Sequence, residues 1–145
     1  MAEPLLTAGY EGETQDAVLA RLEGAGVSLL IDVRAIPQSR KPGLSKRLLG
    51  ASLEARGIGY LHLKDLGTPK PGREAARSGD AAGLARIFGA HMETAPARAA
   101  LDRATELART RRACLLCFEA DHRLCHRSIV AGLICARTGQ DVLHL

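Results

Sequence analysis

Five residues close together in the later part of the chain carry most of its reactive chemistry: Cys117, Glu119, Cys125, His126 and Arg127. A thiol near an imidazole can serve as a nucleophile, a redox group or a metal ligand. A carboxylate beside them can take or give a proton. Arginine presents a planar fork suited to carboxylate or phosphate. Earlier in the chain the same residue types recur at the carboxyl ends of short, mostly apolar runs: Tyr10 past the end of Leu5–Ala8, Asp32 and Arg34 at the end of Val27–Val33, and His62 at the end of Ile58–Leu63.

The thiols admit three readings, and the sequence leaves all three open. In the first, Cys125 lies at the start of a helix, where free amides, the helix dipole and a charged His126 or Arg127 stabilise a thiolate. Cys125 is then the reactive thiol and Cys117 its partner. In the second, Cys117, Cys125 and one of His126, His122 or His62 hold a metal. Zinc sites draw their ligands from recurring short pairs, and the gap from Cys117 to Cys125 is not that spacing, so no residue is assigned as a metal ligand. In the third, both are buried thiols that only fix a loop. Cys114 and Cys135 fall within apolar runs and are expected to be small core residues. The pair Cys114-x-x-Cys117 has redox spacing but falls in a strand rather than at a helix N-terminus.

Around the thiols, Asp32, Glu119 and His126 are candidate proton carriers. Asp32 could equally be one half of a buried ion pair with Arg34 or Arg127. Arg127 with Ser128 at a helix N-terminus could hold a phosphate. Arg34 and the basic loop containing Arg40 and Lys41 would add positive charge, with Tyr10 and His62 at the same edge. His62 could also be no more than a satisfied core histidine.

Elements that could bring these residues together follow from the hydrophobic pattern. Strands are expected at Leu5–Ala8, Val27–Val33, Ile58–Leu63, Arg112–Phe118 and Asp141–Leu145. Helices are expected over about Gln15–Glu23, capped by Thr14, over about Ser45–Ala55, and over Cys125–Arg137. Residues 74–110 have helical spacing, and Pro96 should split them into two helices. Thr68–Gly72, with two prolines and a glycine, reads as a loop. Alternating strands and helices imply right-handed crossovers and a three-layer α/β domain over residues 1–145. Its sheet has about five mostly parallel strands with helices on both faces. In such sheets ligands bind beyond the carboxyl ends of the strands, where nearly all the residues named above lie.

The composition sets outer limits. The chain has 145 residues and a net charge of +4, from 20 Lys plus Arg against 16 Asp plus Glu. A mildly basic, arginine-rich chain permits an anionic ligand. Aromatics are few (Tyr10, Tyr60, Phe88 and Phe118), which argues against a single-strand nucleic-acid binder built on stacking platforms. No signal-peptide pattern opens the sequence and no apolar run approaches a bilayer span, so a cytoplasmic location, reduced thiols and no membrane partner are expected. The sequence names no cofactor and no oligomeric state.

The chain resembles the domain of unknown function 488 family over nearly its whole length. The resemblance rests on Gly9-Tyr10, Asp32-Val33-Arg34, Pro37-x-Ser39-Arg40-x-Pro42-Gly43, and Tyr60-x-His62-Leu63 with Leu66-Gly67. It is completed by Leu116-Cys117-x-Glu119 and Cys125-His126-Arg127. The chain departs from the family pattern at Leu44, where an aromatic is common, and at Gly67-Thr68-Pro69. The resemblance implies an α/β fold and draws attention to the same residues, but it supplies no reaction. Some members carry a DNA-repair label. Two functions are therefore expected ahead of others. One is a cysteine-dependent enzyme acting on a phosphorylated or nucleic-acid-derived substrate. The other is a non-catalytic nucleic-acid-binding module. A metal-binding regulatory domain is the third.

Overall fold

The computed structural model describes residues 3–145. Five strands form one all-parallel sheet: β1 (Leu5–Gly9), β2 (Leu29–Asp32), β3 (Gly59–His62), β4 (Ala113–Cys117) and β5 (Val142–His144). They lie side by side in the order β3-β2-β4-β1-β5. The helices among the described residues are α1 (Gln15–Gly24), α2 (Lys46–Glu54), α3 (Lys70–Arg77), α4 (Ala81–His91), α5 (Ala95–Thr110) and α6 (His126–Thr138). None of them is long and apolar enough to cross a membrane.

The central strands are buried on both faces, as a parallel sheet covered by helices requires. Side chains alternate across a strand, so β1, β2 and β4 each feed two cores. On one face Leu6, Ala8, Leu30 and Leu116 meet Val18, Leu19 and Leu22 of α1 and Leu49 and Leu53 of α2. On the other, Leu5, Ile31 and Leu115 meet Phe88 of α4, Leu101 and Ala104 of α5, and Val130, Ala131 and Ile134 of α6. The expected three-layer α/β architecture is therefore present, with every strand pair parallel rather than most of them. As expected, Thr14 caps α1, its hydroxyl accepting from the Ala17 amide at 3.2 Å.

The structure departs from the expected elements between Thr68 and Thr110. The presumed loop Thr68–Gly72 contains the start of α3, at Lys70. Extended Pro69 forms the N-cap, and Pro71 sits in the first turn, where its missing N–H would have had no helical partner anyway. The region also holds three helices rather than two. Pro96 stands in the first turn of α5, as expected, but a further break falls at Gly79 and Asp80. There the chain takes a φ of +78° at Gly79, and the Asp80 carboxylate caps α4 by accepting from the Gly83 amide at 2.8 Å.

The strand order creates the site. β4 lies between β2 and β1, yet α6, which follows it, packs on the opposite face from α1 and α2. The loops leaving neighbouring strands therefore part in opposite directions and open a crevice above their carboxyl ends.

Candidate functional site

A cleft of about 520 Å³ occupies that crevice. Tyr10 enters from the end of β1, Arg34, Ile36, Arg40 and Lys41 from the loop after β2, Phe118 and Glu119 from the end of β4, and Arg73 and Arg77 from α3. Five of its lining residues are cations (Arg34, Arg40, Lys41, Arg73 and Arg77) and one, Glu119, is a carboxylate. Among the described residues Arg40, Lys41 and Arg77 make no side-chain hydrogen bond or ion pair. Arg73 uses one nitrogen to hold the Thr68 carbonyl at 2.9 Å. Apolar surface comes from two side chains in the lining that are unusually open for their type, Ile36 at 53% and Phe118 at 40% exposure.

Arg34 is held differently from the other cations. It is 4% exposed and Asp32 is fully buried. The guanidinium makes a bidentate pair with Asp32 at 2.7–3.1 Å and also donates to the Leu44 carbonyl at 2.7 Å and the Tyr10 hydroxyl at 3.1 Å. The Tyr60 hydroxyl donates to the same carboxylate at 2.6 Å. Burial alone would disfavour the Arg34 charge, but the bonds to Asp32 more than offset it and keep the group firmly protonated. Burial, then Asp32, pushes the Tyr60 phenol up, and burial pushes the Tyr10 phenol up. All three stay in the states that this network needs. His62 closes it from behind, with Nε2 2.7 Å from the Arg34 carbonyl oxygen. A carbonyl carries no proton, so Nε2 is the donor.

The opposite wall is built by Arg127. It is 1% exposed and points back into the protein. It donates to the carbonyls of Glu119 and Ala120, and to the Thr7 hydroxyl at 3.3 Å. These bonds fold the chain after β4 over the end of β1. The approach is so close that a Cβ on Gly9 would stand 1.9 Å from the Glu119 carbonyl oxygen. The same loop places the Glu119 side chain at the cleft, with Oε2 buried and without a hydrogen-bond partner among the described residues. A buried carboxylate oxygen left unmatched carries a substantial desolvation cost.

The thiols do not line the cleft. Cys117 ends β4 on the face packed against α4 to α6, and Cys125 is the residue immediately before α6. Their exposures are 6% and 1%, and His126 beside them is at 4%. The Cys117 sulfur lies 3.8 Å from His126 Nδ1, and the two sulfurs and an imidazole nitrogen all lie within 4.8 Å of one another. His126 Nε2 is 2.7 Å from the Val33 carbonyl oxygen and must donate to it, so in the neutral ring Nδ1 turns a lone pair toward the sulfurs. Against the opposing effect of burial, Cys125 beside it pushes the imidazole's pKa up. The ring rests on Phe88, with centroids 5.2 Å apart.

Cys125 does occupy the helix start. Burial, with Cys117 beside it, pushes its thiol well above the ordinary range. Cys114 is fully buried, and burial pushes its thiol up to about 12. Cys135 is partly buried and packs against the edge of the same core.

The residues expected to share one edge therefore divide into three groups. Tyr10, Arg34, Arg40 and Glu119 line the cleft. Asp32, His62 and Arg127 hold it from behind through Arg34 and the Glu119 loop. Of the two alternatives for Asp32, the geometry is that of the buried ion pair, with Arg34. Cys117, Cys125 and His126 form a separate buried cluster, whereas His122 stacks on His144 with centroids 3.6 Å apart. Sequence reasoning passed over Arg73, Arg77, Ile36 and Phe118. The two arginines are four residues apart, a spacing that puts both on one helix face. That signal was available only to a reading that began a helix at Lys70.

The fold is an all-parallel three-layer α/β sheet with a cationic cleft at its carboxyl edge. The chain belongs to the family described as Domain of unknown function DUF488, which matches residues 14–134. No curated protein and no solved structure matches it.

Proposed function

We propose that the cleft binds a small phosphate-bearing molecule with an apolar or aromatic part, and that Glu119 is the group that exchanges a proton with it. The observation that carries this reading is the charge of the lining, five cations around one carboxylate. Arg40, Lys41, Arg73 and Arg77 supply the anion contacts, and forked guanidinium groups suit phosphate oxygens. Arg34 has most of its donors committed and serves as a wall that keeps Tyr10 and Asp32 in place. Phe118 offers a ring face on which a base or other flat group can rest. The unpartnered Glu119 oxygen gains a partner once a ligand hydroxyl or amine reaches it.

The buried thiols are set behind this cleft rather than in it. The geometry thus favours Glu119 over Cys125 or Cys117 as the group that meets the ligand. The cations also gather around one half-open cleft of about 520 Å³ instead of running along a continuous face. That favours a small molecule over a nucleic-acid strand.

Thermal unfolding with a panel of ribonucleoside monophosphates, the matching nucleosides and a short single-stranded oligonucleotide tests the reading. At least one monophosphate should raise the melting temperature while its nucleoside does not, because only ligand that binds the folded state stabilises it. The shift should vanish in an Arg40→Ala, Lys41→Ala double variant. Equal effects of nucleoside and monophosphate would refute it, as would no response to any phosphate-bearing compound. A response confined to the oligonucleotide would favour the nucleic-acid module instead.

A further inference from the structure

We propose that Cys117, Cys125 and His126 form a binding site for a zinc-class divalent metal ion, separate from the cleft and independent of the reading given to it. Zinc lies about 2.3 Å from sulfur and about 2.0–2.1 Å from imidazole nitrogen, so neighbouring donors of a tetrahedral site stand roughly 3.5–3.8 Å apart. Here the Cys117 sulfur and His126 Nδ1 are separated by 3.8 Å, and all three donor atoms fall within 4.8 Å. Only small adjustments separate this arrangement from a coordination sphere.

The orientation of His126 is what a metal ligand requires. Metal-bound histidines commonly donate their other ring nitrogen to a carbonyl or carboxylate, which fixes the tautomer. His126 gives Nε2–H to the Val33 carbonyl at 2.7 Å and turns Nδ1 toward the sulfurs, so the neutral ring that binds a metal presents its lone pair to them. The Phe88 ring limits the rotation of the imidazole.

The donor chemistry selects the ion. Two soft sulfurs and an imidazole favour zinc and its transition-metal neighbours over magnesium or calcium, which want oxygen. Charge balance agrees. A divalent ion with two thiolates and a neutral imidazole is neutral overall, so it can sit among apolar side chains without another counter-ion. The cluster is part of such a core, beside Val33, Phe88 and Val130. On binding, each sulfur donates an electron pair to the ion and each thiol gives its proton to the buffer. A fourth position remains for water or another ligand atom.

Titration of reduced, metal-free full-length protein with Co²⁺ tests the site. Saturation at one ion per chain should bring thiolate-to-cobalt absorption and tetrahedral d–d bands, both abolished by added Zn²⁺. The bands should survive His122→Ala, which removes one of the stacked surface histidines, and should be lost in Cys117→Ser and in Cys125→Ser. X-ray absorption of the zinc-loaded wild type needs no substitution and should show sulfur near 2.3 Å with nitrogen near 2.0–2.1 Å. Absence of the thiolate band, its persistence in both serine variants, or a zinc shell of oxygen and nitrogen alone would overturn the proposal. The cleft reading is untouched by any of these results, since its test uses neither metal nor these residues.

Discussion

Removing the charge of Asp32 should be among the most damaging single changes in this protein. Asp32 is fully buried and receives the Arg34 side chain at 2.7–3.1 Å, the Arg34 amide at 3.1 Å and the Tyr60 hydroxyl at 2.6 Å. Asp32→Asn keeps the shape but turns one acceptor into a donor that faces a guanidinium. It strands the Arg34 charge, which is 4% exposed. Breaking a buried pair from one side costs about 3–5 kcal/mol. A domain of this size holds only about 5–15 kcal/mol in total.

Urea unfolding followed by circular dichroism reads the cost directly. At a slope of about 1–3 kcal/mol per molar, the midpoint should fall by at least about 1 M. Arg34→Met should be similarly costly, because it leaves the carboxylate buried without its cation. The double variant has no stranded charge, so it should lose less than the two singles together, by about 0.5–3 kcal/mol of coupling. A cost below about 1 kcal/mol for Asp32→Asn, or strict additivity of the two changes, would refute this account of the network.

Two further outcomes follow from the geometry. Gly9→Ala puts a methyl group 1.9 Å from the Glu119 carbonyl oxygen and 2.7 Å from its carbon. Both are backbone atoms, so overpacking of about 1–3 kcal/mol is expected and the melting temperature should drop by about 3 °C or more. An unchanged melting temperature would contradict the close approach. His144 should titrate below the ordinary histidine value, because of burial first, then the stacked His122, then Arg127. Its folded form therefore resists protonation, and as pH falls below about 6.5 the unfolded chain takes up the proton first. This contribution to stability is complete above that pH and declines as pH drops toward the folded value. An NMR titration should find its midpoint depressed, and raised again by His122→Ala. A midpoint at or above the ordinary value would count against the stacking.

The alternation of apolar runs with helical spacing was enough to read the strands and the three-layer arrangement, because central parallel strands such as β2, with Leu29, Leu30 and Ile31, must be largely apolar on both faces. The polar residues at strand ends pointed to the edge where the cleft opens. How those residues divide among cleft, support and thiol cluster was not readable from their order. It depends on register: Leu116 and Cys117 are adjacent in the chain, but strand alternation sends one to the α1–α2 face and the other to the α4–α6 face. Nor could spacing show that the donors of Arg127 turn inward to the Glu119 and Ala120 carbonyls instead of outward to a ligand. Arg73 and Arg77 were lost with α3, whose prolines at 69 and 71 resemble a loop until one sees that they occupy the positions where a helix tolerates proline.

The central claim, that the cleft takes a phosphate-bearing ligand, is tested most directly by a crystal structure with the most stabilising nucleoside monophosphate bound. The account predicts the phosphate among Arg40, Lys41, Arg73 and Arg77, the base against Phe118, and a ligand polar atom within hydrogen-bond distance of Glu119 Oε2. A ligand bound elsewhere on the protein, or one seated in the cleft with its phosphate turned away from those four side chains, would contradict it.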